Sequence, residues 1–214
     1  MKKLLALYIL SVIVLAACTK EVITPSNAVS ANDENADNAV LEDTVLYKHS
    51  FNKNTQGWKI QGDAQGSSVE PTYESTGGNP GGYIAATDDV TGGVWYFSAP
   101  ANFLDNLKNK YGKVLKFNLK QSSTSSQFDA DDIILEGGGM ILHYDTDNNP
   151  GITWTKYRVS LRSSNWLKED DTAPTAKEMK AVLKNITRLW IRGEYRSGAD
   201  IGGLDNVAIA EKID

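Results

Sequence analysis

An all-β, two-sheet sandwich is the fold this sequence predicts, and three observations predict it. Apolar and β-forming residues recur at every second position in several short runs: Leu115, Phe117 and Leu119; Thr153, Thr155, Tyr157, Val159 and Leu161; and Leu189, Ile191, Gly193 and Tyr195. That is the period of a strand with one face buried. Turn-rich segments such as Gly77–Gly82 and Gly137–Gly139 separate the runs, and glycine enters the positive-φ conformations of tight turns at little steric cost. Helical signals are confined to two brief stretches. About ten short strands with two brief helices suit a sandwich rather than an α/β fold, and the chain shows no internal repeat.

Taken in order, Met1-Lys-Lys is a positive start and Leu4–Leu15 an apolar run too short to span a bilayer comfortably, which reads as a signal peptide over residues 1–17. Leu15-Ala-Ala-Cys18 resembles the lipobox of bacterial lipoproteins. The resemblance implies cleavage before Cys18 and a lipid on its sulfur and amino terminus, where several acyl chains hold a soluble domain on a membrane. Thr19-Lys-Glu21 is similar to the charged tag that sends Bacteroidetes lipoproteins to the outer surface. Residues 18–44 are rich in Asn, Ala, Ser and acids with no periodic apolar face, the composition of a disordered tether.

The folded domain is expected over residues 45–214. Val45–Phe51 opens it, and Trp58–Gln61 resumes after a loop. Tyr83–Thr87 and Val94–Ala99 read as strands. Phe103, Leu104 and Leu107 have helical spacing, with Gly112 placed as a C-cap. Ser122–Asp131 is a polar loop, and Ile133–Leu135 and Met140–Tyr144 flank the three glycines as a hairpin or a bulge. Trp166 falls in a loop. Pro174 then precedes Thr175-Ala-Lys-Glu178, a capping box opening a helix to about Asn185 with Met179, Val182 and Leu183 on its apolar side. Gly202-Gly203 reads as a turn before a last strand carrying Leu204, Val207 and Ile209.

Six pieces of the chain, in order, resemble the laminin B domain (laminin domain IV), including its bacterial relatives. They are Phe51 with Thr55-Gln-Gly-Trp58; Gly78-Asn-Pro-Gly-Gly-Tyr83; Trp95-Tyr-Phe-Ser-Ala-Pro100 with Phe103-Leu104; Tyr111-Gly112 with Leu115, Phe117 and Leu119; Ile134-Leu-Glu-Gly137; and Leu189-Trp-Ile-Arg192 with Leu204-Asp-Asn-Val207. The resemblance implies a jelly-roll β-sandwich, related in shape to carbohydrate-binding modules and galactose-binding-like domains, with no enzymatic activity. In laminins the domain sits between disulfide-rich modules. This chain has one cysteine, Cys18, and so no internal disulfide, and a basement-membrane role does not carry over.

Charge gives little to nucleic acid. The chain holds 22 basic and 27 acidic residues, a formal charge of −5. Loss of residues 1–17 removes Lys2 and Lys3, and the tether carries Lys20 against Glu21, Asp33, Glu34, Asp37, Glu42 and Asp43, which leaves the domain near neutrality. Binding to nucleic acid needs a clustered basic surface instead.

Motifs for catalysis are lacking. His49 and His143 have no metal-ligand partner at i+4, and neither a Gly-x-Ser-x-Gly elbow nor a Gly-x-x-x-x-Gly-Lys phosphate loop occurs. A glycan-cleaving enzyme would need two carboxyl groups facing across a cleft; Glu136 lies in a piece of the resemblance that implies no such chemistry. Asp145–Asn149 fails the EF-hand pattern, with Pro150 and Lys156 where Gly and Glu belong, and reads as a solvated turn. The resemblance to carbohydrate-binding jelly rolls implies a structural Ca²⁺ where the first strand meets the last, with Asn52, beside Phe51, and Asp205 as ligands. The alternative is an Asp205 that accepts backbone N–H groups in a turn.

Strand parity sorts the aromatic residues. Trp58, Phe117, Tyr157 and Tyr195 fall on inward faces, whereas Trp154 with Arg158 and Trp190 with Arg192 fall on the opposite ones. Two tryptophans beside arginines form a candidate ligand platform. The alternative is that they pack under a loop or helix, with Arg192 paired to an acid such as Glu136. The sequence therefore predicts a non-catalytic, lipid-anchored outer-membrane or cell-surface module that binds a glycan or another extracellular polymer. The rival reading is a surface protein that adheres to or assembles with other proteins.

Overall fold

The computed structural model describes residues 43–88, 90 and 92–212, so the leader, Cys18 and most of the tether lie outside the described residues. The strands are β1 (Val45–His49), β2 (Lys59–Gln61), β3 (Thr72–Gly78), β4 (Gly81–Asp88), β5 (Tyr96–Ser98), β6 (Val114–Gln121), β7 (Ile133–Gly137), β8 (Met140–Tyr144), β9 (Thr155–Ser160), β10 (Leu167–Lys168), β11 (Ile186–Arg192) and β12 (Asp200–Ala210). Helix α1 (Ala101–Leu107) falls between β5 and β6, and α2 (Ala176–Lys184) between β10 and β11.

Two antiparallel sheets form from these strands. Sheet A runs β3-β4-β12-β6-β9, and β1 also pairs with β12; sheet B runs β10-β8-β7-β11-β5-β2. β12 is the spine of sheet A. Its first half pairs with β4 and its second half with β1, while β6 follows it along the other side. The change of partner falls at a bulge, where Asn206 takes a φ of 55° and the register with β6 shifts between Asp205 and Ala208. A bulge re-aims the side chains on either side of it, and here it keeps both Leu204 and Val207 buried.

Alternation decides which side chains meet between the sheets. Ile84 and Ala86, Leu115, Phe117 and Leu119, Tyr157 and Val159, and Leu204, Val207 and Ile209 come from sheet A, and Ile60, Phe97, Ile133, Leu135, Leu142, Leu189 and Ile191 from sheet B; all belong to one buried cluster. Each fully buried aliphatic or aromatic side chain contributes roughly 1.5–3 kcal/mol. Met179, Val182 and Leu183 of α2 are buried as the helix packs on β7. Its capping box is complete: Thr175 Oγ1 accepts from Glu178 N, and the Glu178 carboxylate accepts from Thr175 N.

Several boundaries differ from expectation for physical reasons. Gly202 and Gly203 do not turn the chain but lie inside β12. A Cβ on Gly202 would collide with the Gly193 carbonyl, and one on Gly203 would press on Lys120 and Tyr83; a strand glycine marks close approach as readily as a turn. Helix α1 ends at Lys108, followed by Asn109 with positive φ, and Gly112 serves a later turn. The third alternating run begins and ends earlier than expected, as Ile186–Arg192. Gly138 and Gly139 both have positive φ and close a two-residue β7–β8 hairpin, the geometry of a type I′ turn. β3 and β10 were not expected. At the domain's start, the Asp43 carboxylate is bonded to Arg158 at 2.7 and 2.8 Å, and Thr44 O accepts from Glu211 N. The packed structure therefore reaches two residues before Val45.

Candidate functional site

The outward face of sheet A carries an aromatic cluster. Lys116, Asn118 and Lys120 alternate out of β6 because Leu115, Phe117 and Leu119 alternate in. Opposite Lys120 on β12 is Gly203, and opposite Gly203 on β4 is Ala85, with Tyr83 next on the same face. Because Gly203 has no side chain, the Lys120 stem and the Tyr83 ring close in over it, where a Cβ would meet both at 3.1–3.2 Å. Trp154, just before β9, leans over from the other side. Its ring meets that of Tyr83 edge-on at 5.3 Å between centroids. Its Nε1 donates to Gly77 O at 2.9 Å. The Lys120 ammonium stands 3.8 Å from the Tyr83 centroid and 4.6 Å from that of Trp154, and donates to the same carbonyl. Tyr83, Lys120 and Trp154 are all half-buried, so aromatic surface and a cation are both presented to solvent.

The four residues expected to form one platform are not brought together. Trp154 and Arg158 belong to the outward side of sheet A, and Trp190 to β11 of sheet B. Tyr96 stacks on Trp190 at 5.5 Å and 25°, and Arg188 lies 4.2 Å from its centroid. Its Nε1 donates to Ser98 Oγ. Burial and neighbouring carboxylates push the Tyr96 hydroxyl up to about 12. Glu136 pairs with Arg188 at 2.7 Å, not with Arg192.

Arg192 is a structural residue. It has no exposed surface, and its guanidinium donates to the carbonyls of Phe128, Ala130 and Glu194 and to Asp132 Oδ1. It organises the chain from Phe128 to Asp132, just before β7.

Asn52 and Asp205 stand near either side of the Asn79–Pro80 turn, and their chemistry does not fit a calcium shell. Asp205 Oδ2 accepts from Asn79 N at 2.6 Å and Asn206 Nδ2 at 3.0 Å, and Oδ1 accepts from Asn206 N at 2.6 Å. N–H donors point at both oxygens, where a cation would need lone pairs. Asn52 instead accepts from Gly82 N and donates to Ser50. Burial raises the Asp205 carboxyl to about 6 against the downward pull of those backbone donors.

The parity of Leu115–Lys120 already places Lys120 outside; what the sequence lacks is the register that sets Tyr83 and Trp154 on either side of it. A second group, which no sequence motif marks, is the buried carboxyls of Asp88, Glu194 and Asp200.

Residues 96–211 match the family Laminin B (Domain IV). Human laminin subunit gamma-1 is 32% identical over 122 residues, covering 54% of this chain and 7% of that protein. Horse laminin subunit gamma-2 is 34% identical over 124 residues, covering 53% and 10%. The chain thus spans a tenth or less of these curated relatives. Among solved structures, the L4b domain of human laminin alpha-2 superposes with a TM-score of 0.59 at 14% identity, covering 78% of this chain and 98% of that one. A family 11 carbohydrate-binding module from a Clostridium thermocellum cellulosomal cellulase does so with 0.50 at 15% identity, covering 82% and 98%. At such identities the likeness is one of fold: a jelly-roll β-sandwich.

Proposed function

Since this chain belongs to the laminin B (domain IV) family, we propose that it is a non-catalytic binding module, and that its ligand is a glycan or a similar extracellular polymer held on the outward face of sheet A. The observation that carries this reading is the half-buried Tyr83–Lys120–Trp154 cluster on the outward face of sheet A, packed over Gly203. An apolar sugar face packs on an aromatic ring, and a few polar groups fix its orientation. Lys120, Lys116 and Lys156 on the same face supply donors to ring hydroxyls or to carboxylates of an acidic polymer. Among the described residues the large exposed apolar side chains, by contrast, are dispersed: Val45 and Leu46 on β1, Leu167 on β10, Ile201 on β12, and Val69, Val90 and Ile152 in separate loops. A protein-docking surface concentrates such residues in one patch.

The Leu15–Cys18 motif supports a lipid anchor on Cys18, with the domain held outside the cell membrane by the tether. Metabolic labelling with a fatty acid tests the anchor, and label retained by a Cys18→Ala variant would end that part of the proposal. For the ligand, the full chain applied to a glycan array should be retained on one class of polysaccharide. Silence across plant, microbial and animal glycans, with capture by a purified surface protein instead, would favour the assembly reading.

A further inference from the structure

Where β4 ends and β12 begins, the inward face of sheet A stops being apolar. Asp88 follows Ile84 and Ala86 in phase on β4, Asp200 precedes Gly202 and Leu204 in phase on β12, and the two aspartates are ladder partners. Gln121 is the β6 partner of Gly202. Glu194, two residues beyond β11, arrives from the other sheet, next to Gly193, whose carbonyl accepts from Gln121 Nε2. Asp63, from the β2–β3 loop, reaches the same end of the sandwich, where its Oδ2 accepts from Gly93 N and Gly93 lines one cavity with Glu194. Asp88, Gln121, Glu194 and Asp200 are 2, 3, 7 and 2% exposed, an unusual density of acid between two sheets.

Four buried acceptor oxygens among these residues lack a donor: Asp63 Oδ1, Gln121 Oε1, Glu194 Oε2 and Asp200 Oδ2. The companion atoms are engaged. Asp63 Oδ2 accepts from Gly93 N, Asp88 Oδ1 from Val90 N, and Asp200 Oδ1 from Ser122 Oγ and Ile201 N, while Gln121 Nε2 donates to Gly193 O. Arg192 is the cation that acts on Glu194, but its guanidinium is committed to Asp132 and three carbonyls. A buried acceptor left without a donor is destabilising, the more so when charged. Several such oxygens, most of them on carboxylates, are what a hard divalent cation binds; the indole Nε1 of Trp95, whose ring packs on Gly193 and Gly202, is also buried without a partner.

We propose that Asp63, Asp88, Glu194 and Asp200, with the side-chain carbonyl of Gln121, bind a calcium ion that ties the two sheets together at this end of the sandwich. The site is separate from Asn52 and Asp205, whose oxygens already face N–H groups. A cavity of about 310 Å³ lined by Gly92, Gly93, Phe128, Glu194 and Ser197 opens beside the cluster, and Glu194 is the proposed ligand that faces it. Among the described residues no group of three or more acidic, histidine or cysteine side chains is placed to hold a metal ion as the structure stands. Binding therefore requires these carboxylates to move onto the ion, and calcium tolerates an irregular shell better than magnesium does.

The test uses the full chain, stripped with chelator and titrated with calcium and then with terbium. At about a hundredfold excess over Kd, calcium should raise Tm by about 5–10 °C. Trp95, which packs on Gly193 and Gly202 beside the cluster, should sensitise terbium emission that saturates at one ion per chain. Glu194→Gln and Asp88→Asn, each checked for folding by circular dichroism, should lose both responses, and Asp205→Asn should keep them. No calcium-dependent shift in the unchanged chain, or responses that survive in Glu194→Gln and Asp88→Asn but vanish in Asp205→Asn, would overturn the site. A Glu194→Gln chain that melts higher than the parent with no calcium effect on either would likewise overturn it, leaving a shared proton between Asp88 and Glu194 as the neutralising agent.

Discussion

Arg192 sits at a position whose parity points outward, yet the segment before β7 wraps over it and removes it from water. Its planar fork matches a divergent set of acceptors, the carbonyls of Phe128 at 2.8 Å and Ala130 at 3.0 Å and the Asp132 carboxylate at 3.4 Å. Lysine offers a single ammonium that cannot span them. Arg192→Lys should therefore destabilise the domain by about 3 kcal/mol, read as a lowered urea midpoint. A change under about 0.5 kcal/mol would mean that the Phe128–Asp132 segment holds itself. Gly193, the next residue, is constrained just as tightly. A Cβ there would overlap the Trp95 ring, which explains a glycine where alternation calls for a side chain.

Helix α2 and the alternating strands are the elements most legible in the sequence, because their determinants are local. Thr175 and Glu178 are three residues apart and bond each other's backbone N–H groups. Thr175→Ala should lower stability by about 1 kcal/mol, or roughly 2–4 °C in Tm for a domain of this size, with ligand binding unchanged. An unaltered midpoint would show that tertiary packing alone sets the helix start. β3 was illegible for the opposite reason. Thr-Tyr-Glu-Ser-Thr-Gly-Gly carries no buried residue, so an edge strand pairing only with β4 leaves no apolar period to read. Sheet membership was illegible too. Trp154 and Trp190 share a parity, but only non-local pairing places them on different sheets. The inward carboxylates Asp88 and Asp200 did carry a signal, being in phase with Ile84 and Leu204, and it is recognisable once strand phase is followed to the strand ends.

For the whole molecule, buried carboxyls set how stability varies with pH. Burial, then the neighbouring charges of Asp88 and Asp63, raises Glu194 from its ordinary 4.5 to about 7, opposed by the Trp95 backbone N–H and by Arg192. The folded state thus binds this proton more tightly than the unfolded state. The resulting stabilisation is complete below about pH 4.5 and disappears as pH rises through about 7. Burial lowers the pKa of His49, which acts in the other direction below its ordinary 6.5. The Glu194 effect is therefore cleanest above that value. In chelator, stability should fall between about pH 6.5 and 8, with a slope no steeper than about 1.4 kcal/mol per unit for this one group. Glu194→Gln should remove most of that slope, leaving near about pH 6.5 the part due to Asp205, whose carboxyl is raised to about 6; a slope that persists above about pH 7 in the variant would assign it elsewhere.

At the same scale, each outward face of the sandwich carries one half-buried tryptophan beside an aromatic ring and a cation, Trp154 with Tyr83 and Lys120 on sheet A and Trp190 with Tyr96 and Arg188 on sheet B. Calorimetric titration of a polysaccharide identified for this chain, with Trp154→Ala and Trp190→Ala compared against the parent, asks directly which face binds. Trp154→Ala should weaken the affinity about thirtyfold, the loss on truncating a binding hot spot, and Trp190→Ala should leave it within about twofold. Binding that survives Trp154→Ala and is abolished by Trp190→Ala would contradict the assignment to sheet A.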